Sequence, residues 1–399
     1  MKRKPIITRE SPFQYLRRKD TREPFSADVV KNWYMARAYV LNQLKDISFG
    51  PDSRENLHAV IDGDNPLMLS VLRQVALSAH YLNHEERDPS GRLSCGNRTV
   101  VTLVSRKDAA EIVSELEKEE YLCNLLQYCR YSLFGEVRNA DSWIDIELEI
   151  VGERPDDPGM VLMTEDRVRS FIGTQIPDSV YTVDPRMAVY AGRVYSLGAV
   201  IDNIPYEDIN SAGRYNRALA AFQYKVLKDT TGLQLVRKNE WEQDLTAVKN
   251  GLSNLFCSDC FESREKAISR FYPPQKKLGE KEVLAIWERF NDALSRCEHN
   301  RWVVEKLILG YRPLNGPERT EYAGLFGKSR SEYSKRLKNR SADPAHIDLC
   351  SYRTLRRVDP DNMKYDSFLM LAIPLILEKI REDDGKGHTV PYLKNKKHK

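Results

Sequence analysis

The run EHNRWVVEKLILGY, from Glu298 to Tyr311, separates its chemistry-bearing side chains from its aliphatic ones around a single helix. At about 100° per residue, His299, Trp302, Lys306 and Gly310 share one face, and Val304, Leu307, Ile308 and Tyr311 share the opposing one. An ordinary surface helix turns its aromatics toward the core with its aliphatics. A face of imidazole, indole and ammonium ending in a glycine therefore reads as a pocket wall. The alternative is packing, with Trp302 and His299 buried and the imidazole satisfied by a backbone carbonyl. As a pocket, Trp302 and Tyr352 offer flat surfaces to a base, and Lys306, Arg301 and His346 can meet phosphate or carboxylate.

A second cluster follows at His346-Ile-Asp-Leu349-Cys-Ser-Tyr352-Arg-Thr-Leu355, and then Tyr365-Asp366 with an apolar helix from Phe368 to Ile380. Together, His299, Trp302, Lys306, Gly310, Tyr311, His346, Leu349, Tyr352, Leu355 and Tyr365-Asp366 resemble the RyR domain, a small module named after ryanodine receptors and also found in bacterial proteins. Tyr311 stands where that family has Trp, Ser351 where it has Pro, and the insert from Asn315 to Arg340 is unusually basic. The resemblance covers residues 285 to 381 and implies a helical, non-enzymatic module. More weakly, the whole chain resembles bacterial proteins that join a dinucleotide-fold domain, like that of potassium-uptake regulators, to such a module. In that comparison Ser211 to Thr231 is the bridging helix, and its Asn216-Arg217 is similar enough to Asn300-Arg301 to suggest a degenerate second copy.

The second chemical locus is the turn Asp62-Gly63-Asp64-Asn65-Pro66, which follows the apolar run from His58 and precedes a helix from Leu67 to Tyr81. A strand, a polar turn and a Pro-led helix make the first unit of an α/β nucleotide fold. Dinucleotide binding needs three glycines in that turn, and only Gly63 is present, with Asn65 and Met68 in the other places. Asp64 lies where phosphate would approach, and the next strand ends in Ser105-Arg106 without the acidic residue that holds a ribose diol. There is no NAD fingerprint, the cofactor stays unknown, and Arg106 favours a phosphorylated ligand if any binds. Asp62, Asp64 and Asn65 also suit a Mg²⁺-dependent nuclease of the PIN or NYN kind, with Asp141 and Asp145 as further acids, or simply a good turn.

These loci need a scaffold. The pattern predicts a helix over 28–46, strands at 98–104 and 143–151, a helix from 108 to about 129, and an extended segment near 131–137. It also predicts a strand at 179–183 and a helix at 188–197. The alternation of 143–151 gives that strand one exposed side. The expected architecture is an α/β Rossmann-like N-terminal domain followed by a mostly α-helical RyR-like C-terminal domain. Its divisions are an extension and helix at 1–50, the sheet domain at 51–210, a helical bridge at 211–279, the RyR-like domain at 280–385 and a basic tail at 386–399. Within them, 272–279 is a linker, 280–295 a lead-in helix, and the basic run 328–340 a solvated loop.

Composition bounds the rest. The chain has 399 residues, enough for two or three cores. A net charge of +4 argues against a dedicated nucleic-acid surface. No apolar run reaches the roughly 18 residues that span a bilayer, and MKRKPIITRE lacks a signal-peptide core, so a cytoplasmic location is expected. Seven scattered cysteines fit reduced thiols, and only Cys257-Ser-Asp-Cys260 has ligand spacing, with Cys297 and His299 able to complete a zinc site. No nucleophile elbow or P-loop is present. The expectation is a ligand sensor for a small anionic nucleotide-type molecule without catalysis of its own. The alternatives are the nuclease and a protein-docking subunit, with a protein partner or homo-oligomer left open.

Overall fold

The computed structural model describes residues 27–87, 94–118, 120–140, 142–175, 256–257, 259–274, 278–340, 343–360 and 362–374 except 364, 368 and 372. The expected strand at 179–183, the helices at 188–197 and 211–231 and the basic tail lie outside the described residues.

The N-terminal part is an α/β sheet domain. Its strands are β1 (His58–Asp62), β4 (Thr99–Val104), β5 (Arg130–Leu133), β6 (Glu136–Asn139), β7 (Ile146–Val151) and β8 (Val161–Thr164), in the order β6-β5-β7-β4-β1-β8. A separate hairpin pairs β2 (Glu85–Arg87) with β3 (Ser94–Gly96). All neighbours in the large sheet run parallel except β5 and β6. Those two are joined by Phe134-Gly135 at φ 48° and 84°, the left-handed pair that a tight hairpin turn requires. The Rossmann-like expectation thus holds as a six-stranded, mostly parallel α/β sheet. Ala59, Val60 and Ile61 of β1 are fully buried, which is why this interior strand reads as an unbroken apolar run. The alternation of β7 also appears, with Ile146, Leu148 and Ile150 inward and Glu147 and Glu149 partly exposed.

Helices α1 (Ala27–Leu44), α2 (Pro66–Ser78), α3 (Ala109–Lys118), α4 (Glu120–Tyr128) and α5 (Glu165–Gln175) accompany the sheet. The helix expected over 108–129 is present as α3 and α4 on either side of residue 119, and β8, α5 and the β2–β3 hairpin carried no sequence expectation. Leu72 of α2, Leu116 of α3, and Leu122 and Leu126 of α4 cover Val101, Leu103, Leu148 and Ile150 on one sheet face.

The C-terminal region is helical: α6 (Phe261–Ser269), α7 (Glu280–Arg289), α8 (Asn291–Ile308), α9 (Gly316–Ala323), α10 (Gly327–Lys338) and α11 (Tyr352–Val358). Helix α8 packs on α2 and α4, so Val303, Val304, Leu307 and Ile308 join the same core as β1 and β4. It ends at Gly310, whose φ of 78° lets the Tyr311 N–H donate back to the Lys306 carbonyl at 2.9 Å. That stop is a backbone requirement and explains Gly310 without a ligand. The basic run expected as a loop is helix α10, because Tyr333 and Leu337, one turn apart, bury against Leu314, Tyr322 and Ala345. Its Arg330 and Arg336 lie over the Tyr322 and Tyr333 rings, at 4.1 and 4.8 Å.

Candidate functional site

Helix α8 is buried on nearly every side, and its buried charged residues pair inside the protein. Arg301, expected to meet a ligand, turns inward. It binds Glu298 through Nη2 at 2.8 Å and Glu305 through Nη1 at 2.9 Å, all three at 1% exposure or less. Arg264 of α6 reaches Glu298 at 2.9 Å, and Lys306 reaches Glu305 at 2.6 Å. Burial would push the Glu298 carboxyl up, but Arg301 and Arg264 outweigh it and hold it at about 2. Glu305 is likewise lowered, with Lys306 and Arg301 overcoming desolvation. Three cations face two carboxylates along this ladder, leaving one positive charge in excess.

The aromatic residues come together. Trp302 is half-buried, with the His299 ring stacked at 6.0 Å and the His346 ring edge-on at 4.9 Å. Tyr352 lies 5.6 Å from His299, and Tyr311 lies 6.1 Å from His346. The Lys306 ammonium sits 5.5 Å from the Trp302 ring centroid. The result is an aromatic cluster in which His299, Tyr311, His346 and Tyr352 are buried, Trp302 is the partly exposed ring and Lys306 is the cation. His299 donates from Nε2 to the Cys350 carbonyl at 2.8 Å, and its Nδ1 is 3.5 Å from Asp366. Burial would lower the His299 imidazole, but the Asp366 bond and charge dominate and raise it. Ser351 is the N-cap of α11, its Oγ accepting the Thr354 N–H at 3.1 Å.

The turn after β1 is also built by its neighbours. Gly63 adopts φ 127° and donates its N–H to the Val104 carbonyl at 3.1 Å. The Asn65 side chain accepts from the Leu67 and Met68 N–H groups at 3.0 and 3.1 Å, filling the helix N-terminus where phosphate would bind. Asp64 accepts from Ser105 Oγ at 2.5 Å and Lys107 Nζ at 2.9 Å, while Asp62 is 4.0 Å from Arg154. Arg106 is exposed beside them. Glu165, at the end of β8, accepts from Asn65 Nδ2. Asp145 is at the opposite, N-terminal end of the parallel strands, just before β7, buried and held to His80 at 2.9 Å, while Asp141 lies outside the described residues. Among the described residues no three His, Cys, Asp or Glu side chains form a metal-holding group. Cys257, Cys260 and Cys297 are buried thiols, the last two pushed up by burial to about 11 and about 12.

Sequence reasoning missed one polar line. On the sheet, His58 meets Asp157 through Nδ1 at 2.6 Å and Thr102 Oγ1 through Nε2 at 2.9 Å, and that hydroxyl donates to Glu149 at 3.0 Å. The order of groups is that of a hydrolase triad, yet Thr102 is fully buried and open to no substrate. Nothing in the sequence flags it, since His58 and Asp157 are 99 residues apart.

Among the described residues no helix is long and apolar enough to cross a membrane. Compared with family models, curated proteins and solved structures, the chain matches none.

Proposed function

We propose that this protein is a ligand-binding sensor without catalysis of its own, whose C-terminal aromatic cluster opens at Trp302 as a cleft that receives a small anionic molecule of nucleotide type. The observation that carries this reading is the half-buried Trp302 ring, held by His299 and His346 and overlain by the Lys306 ammonium. A rigid indole presents a stacking surface for a base, and the surplus cation of the ladder supplies attraction for an anion. The RyR-like pattern of His299, Trp302, Lys306, His346 and Tyr352 agrees with a binding module. Arg301 serves as the internal counter-ion that keeps Glu305, and through it Lys306, in place.

The test is identification by mass spectrometry of small molecules released from denatured protein, with calorimetry against mono-, di- and cyclic nucleotides. Trp302→Ala is expected to weaken binding by roughly 1–3 kcal/mol per stacked base. Unchanged binding, with melting lowered as for a core truncation, sinks the reading in favour of packing.

A nuclease is the second reading. It draws on Asp62 and Asp64 at the end of β1 and on Glu165, which follows the adjacent strand β8 and meets Asn65, although these carboxylates do not stand together as a metal-holding group. Asp62→Ala combined with Asp64→Ala abolishes Mg²⁺-dependent phosphodiester cleavage under this reading, and retained cleavage eliminates it.

A further inference from the structure

The β2–β3 hairpin belongs in sequence to the sheet domain, yet it holds on to the helical one. The Glu86 carboxylate accepts the Tyr352 N–H at 2.7 Å with one oxygen and the Arg353 N–H at 2.9 Å with the other. These are the first two amides of α11, groups a helix cannot satisfy itself. Two residues before Glu86, the His84 carbonyl accepts from Arg296 Nε of α8 at 3.0 Å. The strand is thus gripped by both helices that build the aromatic cleft.

Tyr352 carries the link. Its backbone holds Glu86, and its ring packs between His299, at 5.6 Å, and the Arg356 guanidinium, at 5.6 Å. The Glu86 charge also reaches the His299 imidazole, where it adds to the effect of Asp366. A carboxylate bridging two successive amides fixes both the position and the rotation of the first helical turn. We propose that Glu86 is a positioning residue of the cleft, and that the hairpin is a strap whose docking sets the Tyr352 wall and is coupled to ligand occupancy. The ligand half of this inference rests on the binding reading above; the mechanical half does not.

Two substitutions in the full-length protein separate reach from charge. Glu86→Asp keeps the charge and shortens the arm; Glu86→Gln keeps the length and removes the charge together with one acceptor. Both are expected to speed hydrogen–deuterium exchange about tenfold at the amides of Tyr352 and Arg353 and at 94–96 of the hairpin, with β4 and β7 unchanged. A rise confined to 352 and 353, with 94–96 as in the wild type, reduces Glu86 to a helix cap and overturns the strap. Both variants are also expected to move the His299 imidazole NMR resonances, which report the Tyr352 ring. Resonances that stay in place overturn the coupling to the cleft.

Adenosine 5′-monophosphate serves as the binding probe. If it binds the wild type, both variants are expected to weaken it about tenfold. Tighter binding to Glu86→Gln with no change in Glu86→Asp shows that only the electric field acts, and overturns positioning. If the wild type does not bind it, the nucleotide reading loses its support, while the exchange and NMR results still decide the strap.

Discussion

Arg301 and Glu298, one turn apart on α8, are joined by three N–H···O bonds of 2.8 to 3.1 Å at 1% exposure each. A buried pair of this kind contributes little net stability against an apolar replacement of both partners, but breaking it leaves a bare charge in the core. Arg301→Ala is therefore expected to lower the unfolding free energy by about 3–5 kcal/mol, measured by urea denaturation. A loss below 1 kcal/mol with abolished ligand binding contradicts the inward role of Arg301.

Asn300, the residue beside Arg301, is fully buried, and among the described residues neither its Nδ2 nor its Oδ1 has a hydrogen-bond partner. It lies on the side of α8 that carries Val303, Val304 and Leu307 into the shared core. Asn300→Leu keeps the approximate volume and removes an unsatisfied amide, so the melting temperature is expected to rise with a gain of roughly 1–3 kcal/mol. A drop instead reveals an internal water bound to the amide.

His84 gives the protein an acid-sensitive element. Burial pushes its imidazole from the ordinary 6.5 down to about 4, and among the described residues both ring nitrogens lack partners. A base whose folded pKa is depressed is protonated more readily when unfolded, so its stabilisation is complete above pH 6.5 and is lost as pH falls toward 4. The loss amounts to roughly 3 kcal/mol at full protonation, by the 1.36 kcal/mol per unit rule. His84→Phe is expected to flatten the dependence of stability on pH between 6.5 and 4. An unaltered slope assigns the acid response to other groups.

Glycine is favoured at position 63 for two independent reasons. Its φ of 127° is a conformation that side chains avoid, and a Cβ there meets Met68 Cγ at 3.3 Å. Gly63→Ala is expected to cost about 1–3 kcal/mol. Asn65→Ala, which removes the cap of α2, is expected to cost about 1 kcal/mol. A Gly63→Ala variant that melts as the wild type does places the strain elsewhere than at Gly63.

Much of the sheet domain was legible because its signals are local. The Asp-Gly-Asp-Asn-Pro turn needs only its own backbone and the Asn65 cap, and the apolar run of β1 needs only burial on both sides. Strand β8 escaped notice because Val161–Thr164 is four residues long and directly followed by a helix. Basic helix α10 was read as a loop because its composition is charged, while its two anchors, Tyr333 and Leu337, are too few to show a periodic stripe.

In the C-terminal region the sequence by itself determined that His299, Trp302 and Lys306 share a side of one helix, since a 3.6-residue turn admits no other placement. It could not determine what that side faces. Tertiary packing put α8 in the middle of the protein, turned Arg301 and Lys306 onto Glu298 and Glu305, and set Cys350, Asp366 and His346 around the rings. It also brought Glu86 to Tyr352 across 266 residues of chain. Periodicity fixes directions within an element. The partner of a buried charge is chosen by desolvation, which acts only once distant elements have closed over it.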